Sequence, residues 1–120
     1  MNDRIEQLLL SLGVSAKYTG FFYSICAIEL VSHDPALLGM VTKDLYPTVA
    51  QHCSSTPSRV ERNIRHTAEL AWEKNRAMLQ VMAGYPLQHR PCASQFIAIL
   101  SAEYKKLLNR EESYGQQCFF

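Results

Sequence analysis

Apolar residues recur every three or four positions along most of the chain, which is the spacing of one face of a helix. The first such face is formed by Ile5, Leu8, Leu9 and Leu12. Asn2 or Asp3 can cap the start of this helix, and Gly13 can end it. The next apolar run, residues 20–32, is aromatic and β-branched, but its length favours a well-buried helix over a strand.

Prolines divide the middle of the chain. Asp34 followed by Pro35 is typical of a helix start, because the carboxylate can cap and a proline needs no N–H partner there. The helix predicted from this point has an apolar face formed by Leu38, Val41, Leu45 and Val49. Pro47 should kink or divide it near Tyr46, so 47–53 is predicted to be a short helix or the last turns of a bent one.

A second proline start, Thr56 followed by Pro57, opens the most regular helix of the pattern. Its apolar stripe is formed by Val60, Ile64, Ala68 and Ala71. The helix is predicted to span 57–74 with Trp72 near its end, and a shorter helix is predicted from there to Gly84.

The last predicted helix spans 94–110, with Ile97, Leu100, Tyr104 and Leu107 facing inward. No hairpin or alternation of strands and helices appears in the sequence. The fold class is therefore all-α, a bundle of about six helices. The sequence predicts one domain over residues 1–109, followed by a flexible tail, 110–120, in which Phe119 and Phe120 are unusual residues to expose.

Two of these helices have helix-turn-helix spacing. The motif consists of helix 47–53, turn 54–56 and recognition helix 57–74. Ala50 is small enough to allow the close approach of two steeply crossing helices, and Val60 and Ile64 lock the second helix onto the first. The outward side, here called the arginine face, consists of Ser58, Arg59, Glu61, Arg62, Arg65 and His66.

The arginine face has the chemistry of a DNA-binding surface. A helix N-terminus can bind a phosphate through its free N–H groups, assisted by the hydroxyls of Thr56 and Ser58. Arginine can donate two parallel hydrogen bonds to guanine, and glutamate can accept one from cytosine. The negative charge of Glu61 repels a phosphate. Its presence is therefore explained mainly by contact with a base edge or by a role as a brace that orients an arginine.

Two alternatives remain open from the residues alone. The arginine face can be a solvated surface with local ion pairs, and Ser58 with Glu61 fits a capping box that would make Glu61 structural. The same face can also be a docking surface for a protein.

Composition narrows the class of protein. The net charge is only +1, so only a local concentration of charge can indicate nucleic acid. No apolar run is long enough to span a membrane and the N-terminus is not a secretory signal, which predicts a cytoplasmic protein. The cysteines form no Cys-x-x-Cys pair, and neither a metal site nor a phosphate loop nor a nucleophile motif appears. We therefore expect no enzyme, no metal and no cofactor.

The segment TPSRVERNIRHTAELAW, residues 56–72, resembles the C-terminal effector domain of the stage-zero sporulation response regulator family. The resemblance extends to GVSAKYTGFFY, LLGMVTKDLYPTVAQHC and SQFIAILSAEY, and covers roughly residues 3–109. It implies a bundle of six helices whose fourth helix contacts DNA. It also implies that Arg59, Glu61 and Arg62 contact base edges, whereas Ser58, Arg65 and His66 mostly hold phosphates.

The family resemblance further implies double-stranded DNA as partner, contact with RNA polymerase and its sigma factor, and tandem dimers on DNA. Two features depart from the family pattern. No phosphoacceptor receiver domain is predicted within these 120 residues, so no phosphoryl switch is expected from them. The segment 74–93, around which the family contacts polymerase, is shorter here and differs in composition. A protein-interaction module that does not itself bind DNA is the alternative function.

Overall fold

The computed structural model describes residues 2–117, with side chains described for 2–111. Five α-helices follow one another in this part of the chain, and it contains no strand. They are α1 (Asp3–Ser11), α2 (Thr19–His33), α3 (Tyr46–His52), α4 (Pro57–Ala83) and α5 (Ala93–Gln117). Because α4 is broken at Asn75, the five helices contain six straight segments, and the all-α prediction of about six helices is confirmed.

The ends of α1 are those that the sequence predicts. The side chain of Asn2 caps the start by accepting hydrogen bonds from the N–H groups of Arg4 and Ile5 at 3.1 and 3.2 Å. Gly13 has a φ of +86°, a left-handed conformation that glycine adopts without steric cost. The N–H of Val14 then bonds the carbonyl of Leu9 at 3.0 Å, which closes the helix with a Schellman motif.

Helix α2 is the centre of the bundle, and both α4 and α5 pack against it. The prediction of a well-buried helix is confirmed: the segment is α-helical, and eight of its fifteen residues are buried. Among the described residues, the fully buried aromatic side chains are Phe21 of α2 and Phe96 of α5. At Gly20 the first turn of α2 approaches α4 so closely that a Cβ would overlap the hydroxyl of Thr67 and the carbonyl of Asn63.

The segment between α2 and α3 differs from the prediction. Instead of an α-helix from Pro35, the chain forms a 3-10 turn (Pro35–Gly39) and then a π-type turn (Val41–Leu45). The carboxylate of Asp34 makes no capping hydrogen bond. In a continuous α-helix the ring of Pro47 would meet the carbonyl four residues earlier, and the wider π turn before it relieves that conflict. The prediction that the chain divides near Tyr46 is confirmed, because α3 starts there.

The turn between α3 and α4 has its own fixed geometry. Ser54 has a φ of +51°, and the N–H of Ser55 bonds the carbonyl of Ala50 at 2.9 Å, which is again a Schellman closure. The hydroxyl of Tyr23, from α2, donates a hydrogen bond to the Ser55 hydroxyl at 3.0 Å. The central helix therefore holds the turn from which α4 begins.

Ser54 is the one non-glycine residue with positive φ in the described chain, so glycine should be preferred there. We expect Ser54→Gly to raise the free energy of unfolding by about 0.5–1 kcal/mol, because relief of the left-handed strain exceeds the entropy that glycine adds to the unfolded chain. Urea unfolding measures the change. Ser32→Gly is the control: the same substitution inside α2 should lower stability by a similar amount. A Ser54→Gly protein less stable than wild type would contradict the prediction.

The break in α4 falls at Asn75, which has φ −153° and ψ 65°. Its side-chain amide donates to the carbonyl of Ser11 in α1 at 2.8 Å, and its side-chain oxygen accepts from the N–H of Met78 at 3.2 Å. Asn75 thus caps the second segment of α4 and ties the end of the first to α1. The segments 57–74 and 76–83 agree with the two predicted helices, and Gly84 ends the second with a φ of +79°.

Helix α5 continues to Gln117, beyond the Arg110 at which the pattern ends. In this extension of α5, the carboxylate of Glu111 accepts a hydrogen bond from the guanidinium of Arg4 at 2.6 Å. Phe119 and Phe120 lie outside the described residues. None of the helices described here is both long enough and apolar enough to cross a membrane.

Candidate nucleic-acid interface

Helix α4 starts with a side-chain cap. Thr56 is the capping residue, and its hydroxyl oxygen accepts a hydrogen bond from the N–H of Arg59 at 3.3 Å. Pro57 occupies the first turn. Ser58 lies inside the helix rather than at the cap, so the alternative of a Ser58–Glu61 capping box is wrong. Glu61 is therefore free of that structural role.

The arginine face projects to solvent along the first segment of α4. Val60 and Ile64 are fully buried beneath it, as predicted, and Ala68 continues the same buried stripe. The exposed members of the face are Ser58, Arg59, Arg62, Arg65 and His66, with Glu61 half-buried among them. The buried stripe therefore sets the rotation of the helix and turns the arginines outward together.

Glu61 and Arg65 form an ion pair one helical turn apart. The Arg65 guanidinium donates to the Glu61 carboxylate at 3.3 Å, and both side chains are partly solvent-exposed. An exposed pair of this kind contributes only about 0.3–0.5 kcal/mol to stability. Its main consequence is geometric, because it restrains the orientation of two side chains of the arginine face.

Arg62, Arg65 and His66 line one shallow concavity of about 300 Å³, together with Asn63 and Glu69. Within residues 2–111, the guanidinium groups of Arg59 and Arg62 make neither an ion pair nor a hydrogen bond. Two arginine side chains are thus exposed, unengaged and available to an external acceptor.

Glu69 marks the far edge of this face. Its carboxylate lies 3.8 Å from Nδ1 of His66 and 3.7 Å from the guanidinium of Arg90. Arg90 belongs to the loop before α5, so the loop is drawn toward α4 by this carboxylate. Sequence spacing gave no signal for this contact, because the two residues are 21 positions apart in different elements.

A basic cluster surrounds Tyr18, and no sequence pattern indicates it. The ammonium groups of Lys17 and Lys74 each lie 5.2 Å from the centre of its ring, and the ring of His66 meets it edge-on at 6.4 Å. Lys74 donates a hydrogen bond to the Tyr18 hydroxyl at 3.3 Å, which lowers the pKa of that hydroxyl. These residues come from separate parts of the chain, so no local motif links them.

The thiols of Cys26 and Cys92 differ in the direction in which their pKa is shifted. Burial, reinforced by the neighbouring Cys53, raises the pKa of Cys26 to about 12. The pKa of Cys92 is instead lowered, first by the hydrogen bond from the Ser94 hydroxyl and then by the N–H of Gln95 at the start of α5. At mildly alkaline pH, Cys92 therefore carries far more thiolate than Cys26.

We expect iodoacetamide at pH 8 to label Cys92 at least about tenfold faster than Cys26, since the thiolate is the nucleophile. Peptide mass spectrometry over a time course measures both rates. Ser94→Ala should slow labelling of Cys92 and leave Cys26 unchanged. Equal rates at the two cysteines in the folded protein would contradict the prediction.

Helix α3, a fixed turn and α4 with its outward arginine face define a helix-turn-helix domain of the DNA-binding class. The chain matches the family described as sporulation initiation factor Spo0A C terminal over residues 5–104. It therefore belongs to this family of DNA-binding domains of sporulation transcription regulators, which is not a family of enzymes. The family resemblance inferred from the sequence is confirmed.

Proposed function

We propose that this domain regulates transcription by binding specific DNA sequences, with the first segment of α4 as recognition helix in the major groove. The observation that carries the proposal is the exposure of two unengaged guanidinium groups, those of Arg59 and Arg62, on a helix whose rotation is fixed by a buried stripe. Arginine in the major groove can pair with guanine through two hydrogen bonds, each such pair giving about 1–3 kcal/mol of discrimination.

Glu61 has two compatible roles in this proposal, as a brace for Arg65 and as a hydrogen-bond acceptor for a base. Its ion pair with Arg65 supports the role of brace, because it holds the guanidinium in a defined direction. The carboxylate can still accept a hydrogen bond from a cytosine amino group, since the pair occupies only part of its acceptor capacity. Base contacts are thus proposed for Arg59, Glu61 and Arg62.

Phosphate contacts are proposed for Thr56, Ser58, Arg65 and His66. Thr56 uses its hydroxyl oxygen as the helix cap, which leaves the hydroxyl proton able to donate to a phosphate. Ser58 is exposed in the first turn, where the positive end of the helix dipole favours an anion. Arg65 and His66 lie about two turns further along the same face.

Fluorescence anisotropy at near-physiological salt tests the proposal. The purified chain is titrated against a duplex carrying the family's DNA box and against a scrambled duplex of equal composition. We expect a preference of about a hundredfold, or 2.7 kcal/mol, for the box. Equal, weak binding to both duplexes would overturn the proposal.

The alternative, a protein-interaction module, is favoured by one specific observation. Met78, Val81 and Tyr85 are exposed in the second segment of α4 and the following loop, and Val81 is 72% exposed. A row of apolar side chains in water is typical of a surface that binds protein. Salt separates the two functions, because phosphate contacts weaken steeply as salt rises and an apolar interface does not.

Further partners remain proposals. The same apolar residues lie in the segment around which the family resemblance implies contact with RNA polymerase and its sigma factor, so such contact is compatible with DNA binding by α4. Tandem dimers on DNA follow from the family resemblance alone. A cytoplasmic location is inferred for the protein, since a transcription regulator must reach the DNA it binds.

A further inference from the structure

The basic cluster formed by Lys17, Tyr18 and Lys74 lies outside the arginine face and has no part in the contacts proposed above. Two ammonium groups are gathered around one tyrosine ring, each 5.2 Å from its centre. Such contacts with a partly exposed aromatic ring contribute about 0.5–1 kcal/mol each. The ring therefore holds two positive charges at one place on the surface.

Neither lysine is neutralised within the described residues. Across residues 2–111, no carboxylate lies within ion-pair distance of the ammonium group of Lys17 or of Lys74, although three guanidinium groups there are paired. Both lysine side chains are exposed. Two unneutralised ammonium groups around one ring form a site for an anion with more than one negative oxygen, and phosphate is such an anion.

The cluster is held in place by packing. The stem of Lys74 lies against Gly13, where any added Cβ would come within 2.8 Å of the Lys74 Cβ. The Lys74 ammonium is further fixed by its hydrogen bond to the Tyr18 hydroxyl. Since these contacts already restrict the side chain, binding an anion costs less conformational entropy than it would for a freely moving lysine.

The position of the cluster indicates which anion it meets. The ring of Tyr18 contacts the ring of His66, so the cluster adjoins the arginine face on the side of α2. Residues 66 and 74 are separated by about 12 Å along the helix axis. Successive phosphates of one DNA strand are closer together than this distance. A strand that contacts His66 can therefore continue past both lysines.

We propose that Lys17 and Lys74, held around Tyr18, bind phosphates of the DNA backbone beside the major groove that α4 occupies. This inference rests on the proposed function, because it extends the same DNA contact. The two lysines add affinity without adding sequence preference, since backbone phosphates are the same in every sequence.

The test is a salt series with the double variant Lys17→Gln/Lys74→Gln, which removes both charges and keeps part of each stem. Binding of the box duplex and the scrambled duplex is measured by anisotropy at several salt concentrations. We expect both affinities to fall by the same factor. The slope of log K against log salt should decrease in magnitude by about 1.8, because each phosphate that a lysine neutralises accounts for about 0.9 of it.

Lys105→Gln/Lys106→Gln is the matched control. It removes two exposed lysines from α5 and should leave both affinities and the slope unchanged. If the Lys17/Lys74 variant binds with the wild-type slope while wild type still prefers the box, the lysine proposal is wrong and the proposed function stands. If wild type binds both duplexes equally but the variant has a smaller slope, sequence recognition is wrong and the phosphate cluster stands. Absence of DNA binding by wild type would overturn both.

Discussion

Arg62→Ala is expected to weaken binding of the box duplex by about 1–3 kcal/mol and to leave the scrambled duplex nearly unchanged. The reason is that the Arg62 guanidinium lies exposed on the arginine face, where it makes no bond within the described protein. Removing the side chain should therefore change the free energy of unfolding little. The loss of binding free energy then reports its contact with a base. Anisotropy titrations of both duplexes measure the effect.

The matched control for Arg62→Ala is Arg110→Ala. Arg110 is also an exposed arginine, but it lies on α5, away from the helix-turn-helix motif. Because both variants remove one positive charge, any effect of overall charge appears in both. We expect Arg110→Ala to bind like wild type. If Arg62→Ala instead weakened the two duplexes equally, Arg62 would be a phosphate contact and not a base contact.

Gly20→Ala is expected to lower the free energy of unfolding by about 3 kcal/mol or more, which corresponds to a fall in melting temperature of about 10 °C. An added methyl group would overlap the Thr67 hydroxyl and the backbone carbonyl of Asn63 in α4. The Thr67 hydroxyl is itself held by a hydrogen bond to that carbonyl at 2.9 Å. Since neither atom can move freely, α2 and α4 must separate.

Two further variants make the Gly20 prediction specific. Gly39→Ala is the control, because a Cβ at Gly39 has no atom within 4 Å and should leave stability almost unchanged. Gly20→Ala combined with Thr67→Ala removes one of the two overlaps and should recover only part of the stability, since the Asn63 carbonyl remains. Calorimetry gives the melting temperatures. A Gly20→Ala protein as stable as wild type would contradict the close approach of the two helices.

Much of this fold is predictable from the sequence because its signals are local. A cap at Asn2, a proline after Thr56 and a glycine at 84 each act within one or two turns, and the structure has helix ends at all three. The apolar stripe of α4 likewise fixes which side is buried. The positions of the arginines on one exposed face follow from that stripe alone.

Two features that the sequence did not predict depend on contacts that no local pattern contains. Helix α5 extends past Glu111, whose carboxylate forms an ion pair with Arg4 from the first helix of the chain. The basic cluster likewise joins the residues directly before α2 to the middle of α4. The turns before α3 differ for another reason: helical periodicity cannot distinguish an α-helix from a 3-10 or π turn that keeps the same residues inward.

The break at Asn75 divides the chain into a part that tolerates changes of length and a part that does not. Inserting one residue between 57 and 74 would rotate every following side chain by about 100° and scatter the arginine face. An insertion or deletion after Asn75 leaves that face unmoved, because the amide of Asn75 fixes the end of the first segment to α1. The segment 74–93, predicted from the family resemblance to be shorter here, lies almost wholly on the tolerant side. Evolution can therefore vary the loop before α5 without altering how α4 presents its arginines.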